Sequence, residues 1–171
     1  MRPVLRLLRR LAPAFVVAGL LPAVPPLSAA EGRSATVLLA RGDRLLDIER
    51  ELEWLRCPLG QKWTTTSCTG TVLRVRRDEI GRLVSLADPG GREGWRLPTR
   101  EEIAALRCGD CAAPGLHALM NGAAATGYWT GEENALVPGR WWSVDVRSFR
   151  FFGRTEPASR LGVLLVRARR N

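Results

Sequence analysis

The stretch Trp95-Arg96-Leu97-Pro98-Thr99-Arg100-Glu101-Glu102 constrains the fold more tightly than any other part of the chain. Pro98 pushes Leu97 into an extended conformation. Thr99 is then placed as an N-cap, and Glu102 three residues on completes a capping box. Glu101 and Glu102 fall in the first helical turn, where the helix dipole favours negative charge. Ile103 and Leu106 share one face, and Gly109 is a stop signal. A buried strand end must therefore turn sharply into a short capped helix ending near Arg107. Arg96, set beside this turn, is read as a structural cation bonded to backbone carbonyls or a carboxylate, because a buried charge needs a partner.

The first thirty residues read as a secretory signal. Arg2, Arg6, Arg9 and Arg10 form a basic start, Leu11 to Val24 an apolar core, and Ser28-Ala29-Ala30 a small-residue cleavage site after Ala30. The apolar run is short and interrupted by Pro13, Pro22, Pro25 and Pro26, so a cleaved signal with no stable membrane span after its removal is expected, with an uncleaved anchor as the alternative. No cysteine follows it, which argues against a lipid anchor. Residues 31–44 form a lead-in, and 45–171 a single domain of ordinary size. The formal net charge of +9 falls by the four arginines of the signal. Lys62 is the only lysine. Arginine-rich charge suits bidentate recognition of sulfated or phosphorylated polymers, or simply follows base composition. Export disfavours nucleic acid as the partner.

Four cysteines in an exported chain read as two disulfides. Local pairing, Cys57 with Cys68 and Cys108 with Cys111, needs least chain rearrangement. Cys108-Gly-Asp-Cys111 also has redox spacing, but a redox motif should open a helix and this one closes it. No second pair completes a zinc site. His117, the only histidine, has Leu116 and Leu119 beside it and no nucleophile in its sequence context.

Along the chain, Val37 to Ala40 reads as a strand or a loose arm. Apolar residues at 46, 48, 52 and 54 alternate as strands broken near Arg50-Glu51, although 45, 48, 52 and 55 also fit a helical stripe. Cys57 to Gly70 is a loop. Thr71 to Val75 is strand-like, and Asp78 caps a helix with Ile80, Leu83, Val84 and Ala87 on one face, ended by Asp88-Pro89-Gly90-Gly91. Residues 109–127 are irregular, with one helical turn around Leu116 to Met120. Tyr128-Trp129-Thr130 is a short strand. Trp142, Val144 and Val146 alternate with polar residues up to a turn at Arg147-Ser148, and Phe149 and Phe151 continue on the returning strand. Leu161 to Val166, almost wholly apolar, reads as a strand buried on both faces and paired with that hairpin.

Taken together, Trp54 with Arg56-Cys57, Gly60-Gln61-Lys62-Trp63, Cys68, Gly94 to Glu102, Tyr128-Trp129, Trp141-Trp142 and Val166-Arg167 resemble the Lcl C-terminal domain family, over roughly residues 45–169. The resemblance implies an α+β, C-type-lectin-like fold, with two helices packed on a twisted, mostly antiparallel sheet. It also implies an exported or surface-exposed bacterial protein. In the family's named member the domain ends a collagen-like adhesin linked to glycosaminoglycan-type ligands. This chain has no Gly-x-y repeat, and Thr130-Gly131 stands where the family often has Ser-Ser. The family supplies no agreed catalytic residues and none are carried over.

The functional expectation is a non-enzymatic binding module of the envelope, periplasmic, secreted or at the cell surface, that takes no cofactor. Its partner is an anionic glycan or an envelope protein, met through Trp129, Arg140, Trp141 and Arg150, because exposed aromatic rings near arginine suit sugar stacking or a protein interface. Core packing is the competing role for each tryptophan, and Trp54, Trp63, Trp95 and Trp142 have core-like contexts. Glu132, Glu133, Asn134 and Asp145 form a weak calcium-like set of oxygen ligands, with solvated loop charges as the plain alternative. Two other roles stand beside this one: an assembly component of a secreted apparatus, and a thiol-dependent oxidoreductase requiring a reactive Cys108 or Cys111. No acid-base pair or nucleophile constellation is visible.

Overall fold

In the computed structural model, residues 38–107 and 127–170 are described. The signal segment, the Cys108–Cys111 pair and His117 lie outside them. Among the described residues the architecture is α+β, with three antiparallel sheets and two short α-helices. The first sheet contains β1 (Leu38–Arg41), β2 (Arg44–Asp47), β3 (Leu52–Leu55) and β9 (Val166–Ala168), in that order. The second is a small hairpin of β4 (Gln61–Trp63) and β5 (Cys68–Gly70). The third is a meander of β6 (Gly127–Glu133), β7 (Trp141–Asp145) and β8 (Arg150–Thr155). A 3-10 turn at Arg77–Glu79 leads into α1 (Ile80–Ala87), and α2 is Arg100–Ala105.

The alternation around Arg50-Glu51 resolves as two strands. Leu45 pairs with Trp54 and Asp47 with Leu52. Glu51 turns the chain with a φ of 52°, and buried Asp47 accepts the Arg50 N–H at 3.1 Å. The helical stripe fails because the turn stops it after one repeat. Within the expected Val37 to Ala40 stretch, the described residues Leu38 to Ala40 are strand rather than arm: β1 adds to β2 as an outer strand. The loop from Cys57 to Gly70 is more regular than expected, since the Cys57–Cys68 bridge closes the β4–β5 hairpin.

Two expectations for the segments around the core are corrected. Thr71 to Val75 is not a strand; only Val75 pairs, through reciprocal bonds with Leu161. Leu161 to Val166 is buried as expected, but it does not join the hairpin. Its last residue starts β9, which pairs with β3. The rest is irregular, and its side chains alternate between two cores. Leu164 and Val166 enter a cluster with Leu45, Trp54, Ile103 and Tyr128. Val163 and Leu165 enter another with Val75, Trp95, Leu97 and Trp129. An apolar run carries no polar face to specify a partner strand, so burial alone could be read from it. A third correction concerns Phe149: with a φ of 52° it occupies the turn, and β8 begins at Arg150.

The backbone of this central segment is stitched singly to several others. Leu55 N–H donates to Leu165 O, Leu59 N–H to Val163 O and Trp129 N–H to Gly162 O, each at 3.0 Å. Gly162 also donates to Gly127 O at 2.9 Å. The approach is so close that a Cβ on Gly162 would fall 2.5 Å from Tyr128 Cε1 and 3.2 Å from Val72 Cγ1. Tyr128 is fully buried, and burial pushes its hydroxyl pKa up to about 12. The ring therefore has no room to withdraw.

Gly162→Ala is expected to destabilise the fold by about 1–3 kcal/mol through overpacking against Tyr128, read as a lower urea midpoint. Cys57→Ala/Cys68→Ala is expected to cost about 3 kcal/mol through the reopened loop, read in the same titration.

Candidate functional site

The turn read from sequence forms as expected. Thr99 Oγ1 accepts the Glu102 N–H at 3.1 Å, and Glu102 Oε2 accepts the Thr99 N–H at 2.8 Å. Glu102 also takes Arg96 in a two-pronged pair at 2.6 and 2.8 Å. Burial works against the Glu102 carboxylate, but the donors from Arg96 and Thr99 outweigh it and its pKa falls. Arg96 is thus a structural cation. Its backbone bonds reciprocally to Val166 at 2.9 Å, pinning the turn to the central segment.

The loop leading to this turn is organised by Asp88. Its buried carboxylate accepts the N–H groups of Glu93, Gly94 and Trp95 at 2.7–3.3 Å. Trp95 Nε1 donates to Glu93 at 2.7 Å, and Glu93 accepts Arg167 at 2.6 Å. Arg167 in turn forks onto Glu53 across β3 and β9. Arg44 and Arg167 both lie over the Trp95 ring, at 4.9 and 4.5 Å. Trp95 is fixed by charge as well as by packing.

A cleft of about 750 Å³ opens between α1 and this turn. Its floor is apolar: Ile80, Val84, Trp95, Leu97 and Trp141. Its rim carries Arg77, Asp78, Arg96, Thr99 and Glu132, with Gly81 and Gly131 leaving it open. Gly131 N–H donates to Pro98 O at 2.8 Å, which draws β6 against the turn and forms one wall. The neighbouring Thr130 is fully buried and donates to Trp142 O at 3.0 Å. Thr130 and Gly131 therefore hold the wall in place.

Trp141 and Trp142 follow one another along β7, so each meets a different arginine. Arg77 lies 3.6 Å over the Trp141 ring, and Arg100 lies 4.1 Å over Trp142. Arg100 also binds Glu132, through its backbone N–H at 2.8 Å and Nε at 3.0 Å. Arg77 makes no such pair: among the described residues its guanidinium has a ring beneath it and no carboxylate within salt-bridge reach. Burial lowers its pKa, opposed by the more distant Glu133.

The residues expected to meet a ligand do not assemble into one site. Trp129 is fully buried, and its Nε1 donates to Val75 O at 2.8 Å. This corrects its assignment to an exposed face: it is core. Arg140 pairs with Glu156 at 2.6 Å. Arg150 is exposed opposite Asp145, at the other end of the hairpin from Trp141. Only Trp141 lines the cleft. The calcium-like set separates as well. Glu132 is held by Arg100, and Glu133 accepts Gly139 N–H at 2.6 Å. Asn134 bridges Gly153 O and Leu136 N–H. Asp145 stands opposite Gly127, the far end of β6 from Glu133. Its carboxylate accepts the Arg147 N–H, which lowers its pKa despite burial. No group of three or more His, Cys, Asp or Glu among the described residues could hold a metal ion.

Sequence reasoning missed Arg77, Arg100 and the half-buried position of Trp142. The adjacent Trp141-Trp142 pair was the available signal, since neighbouring strand residues point to opposite faces. What it could not supply was the identity of the two arginines.

An α+β domain of short antiparallel sheets, with one aromatic, arginine-rimmed cleft, is thus defined. The sequence matches the Lcl C-terminal domain over residues 44–167, and the chain belongs to that family. No curated protein and no solved structure matches it.

The Asp88 cradle makes a pH prediction. Backbone donors from Glu93 first, then Trp95, Gly94 and Arg92, hold its pKa below the usual aspartate value against the opposing effect of burial. Its stabilisation is complete above the unfolded pKa of roughly 4 and is lost as pH falls through the depressed folded value. Asp88→Asn is expected to lower Tm at neutral pH and to flatten the acid limb of a Tm-against-pH curve.

Proposed function

We propose that this chain is an exported, non-enzymatic binding module of the bacterial envelope, with a C-type-lectin-like arrangement, and that it binds an anionic glycan in the cleft beside Trp141. The observation that carries this reading is Arg77, a half-buried guanidinium stacked on an aromatic ring with no carboxylate within salt-bridge reach among the described residues. Guanidinium groups carry five donors in a planar fork suited to oxyanions. Partly removed from water, such a group gains from an incoming anion. The apolar floor supplies the second half of a sugar site, a surface for the C–H face of a ring.

Export is supported by the basic-apolar-small order of residues 1–30 and by the Cys57–Cys68 disulfide. Disulfides of this kind persist in oxidising compartments. Among the described residues no helix is long and apolar enough to cross a membrane.

Affinity electrophoresis of the mature protein through gels containing anionic or neutral polysaccharide tests the proposal. Retardation by an anionic polymer is expected, weakening as salt screens the contact. Trp141→Ala and Arg77→Ala should each abolish most of it. Equal mobility in every gel would overturn the reading.

A further inference from the structure

The lining of the cleft says which anion it takes. Two arginines, Arg77 and Arg96, face two carboxylates, Asp78 and Glu132. Arg96 is already spent on Glu102, and Glu132 on Arg100. Asp78 lies 3.4 Å from Arg76. The rim is therefore close to neutral on a strongly basic protein, and among the described residues Arg77 is its one cation with no carboxylate within salt-bridge reach. A densely sulfated polymer needs several cations in register and would meet Asp78 and Glu132 instead. A ligand with a single negative charge per unit meets no such repulsion.

Stacking also selects the shape of the anion. The Trp141 ring covers one face of the Arg77 guanidinium at 3.6 Å. The N–H donors of a guanidinium lie in its own plane. A carboxylate takes two such donors side by side as a bidentate pair. The rim further mixes acceptors and donors: the carboxylates of Asp78 and Glu132, the hydroxyl of Thr99 and the fork of Arg77. Sugar hydroxyls both donate and accept, so a polyol can satisfy this mixture. A peptide C-terminus offers the carboxylate but not the hydroxyls.

Resting on the reading of this cleft as a glycan site, we propose that its ligand is a uronate unit of a polysaccharide. The carboxylate lies in the plane of the Arg77 fork, and the apolar ring face rests on the floor beside Val84 and Trp141. One such cation on a rim that also carries Asp78 and Glu132 favours a single carboxylate per unit over a densely sulfated chain.

The test is calorimetric titration of the mature, disulfide-intact protein with an oligogalacturonate, its full methyl ester, a sulfated dextran oligomer without carboxylates, and a short peptide with a leucine C-terminus. Oligogalacturonate should bind at least tenfold more tightly than the ester or the sulfated oligomer. Arg77→Lys, which keeps the charge and loses the fork, should weaken it tenfold or more. The ester comparison uses the unaltered protein, so it stands even where Arg77→Lys lowers stability. Tighter binding of the sulfated oligomer, lost in Arg77→Lys, would overturn the uronate inference and leave the glycan site intact. Binding of the peptide alone would overturn both. Absence of binding by all four would also overturn both.

Discussion

Every layer of this structure is fastened to the Leu161–Val166 segment. A strand within a sheet has two neighbours; this segment has contacts of a more scattered kind. Single backbone bonds tie it to β3, to the loop after Cys57, to Val75 before α1, to β6 and to Arg96 at the capped turn. Its side chains fill two cores, one on each side. An apolar segment with both faces covered gives up all its contact with water, a gain of about 25 cal/mol per Å² of surface removed. Its backbone groups must then find partners in the interior, since an unpaired one costs about 1–3 kcal/mol. The scattered bonds are the solution: each neighbouring element supplies one or two.

That arrangement explains where the cleft lies. Val75 and Arg96 are both clamped to the central segment, so α1 and the Leu97–Thr99 turn begin from fixed points. The cleft is the gap left between them, closed on the third side by β6 through Gly131 and Pro98. Trp95 forms part of its floor and cannot tilt, because Glu93, Arg44 and Arg167 hold its nitrogen and its ring. Rigid walls of this kind favour recognition without a large ordering cost.

What could be read from the sequence follows the range of the interactions. The capping box needs only residues that are close along the chain, so Pro98, Thr99 and Glu102 announced it. The Cys57–Cys68 bridge and the β2–β3 hairpin are nearly as local. The family resemblance reached further, because it rests on many spaced motifs at once. By contrast, the neighbours of Leu161 to Val166 were illegible: alternation specifies a face, and a segment apolar throughout has none. Trp129 was misplaced for a related reason. A tryptophan between Tyr128 and Thr130 gives no sign of which face is inward. The fixing bond, from its indole to Val75 O, comes from a distant part of the chain.

The two tryptophans of β7 carry the same kind of arginine contact with different electrostatic surroundings. Both carry a stacked arginine, an arrangement worth about 0.5–2 kcal/mol depending on how far water is excluded. At Trp142 the arginine also holds Glu132, and its charge is answered within the fold. At Trp141 no carboxylate among the described residues comes within salt-bridge reach, and only the more distant Glu133 offsets the charge. A charge-assisted hydrogen bond contributes about 1.5–3 kcal/mol, so the stack at Trp141 leaves the larger of the two gains untaken. Folding could have taken it with one carboxylate on α1 or β7. Instead the acidic groups nearest the cleft are held elsewhere: Glu132 by Arg100, Glu102 by Arg96, and Glu133 by the Gly139 N–H. With those carboxylates engaged elsewhere, the Arg77 fork stays uncommitted among the described residues, which is the state the proposed ligand would require.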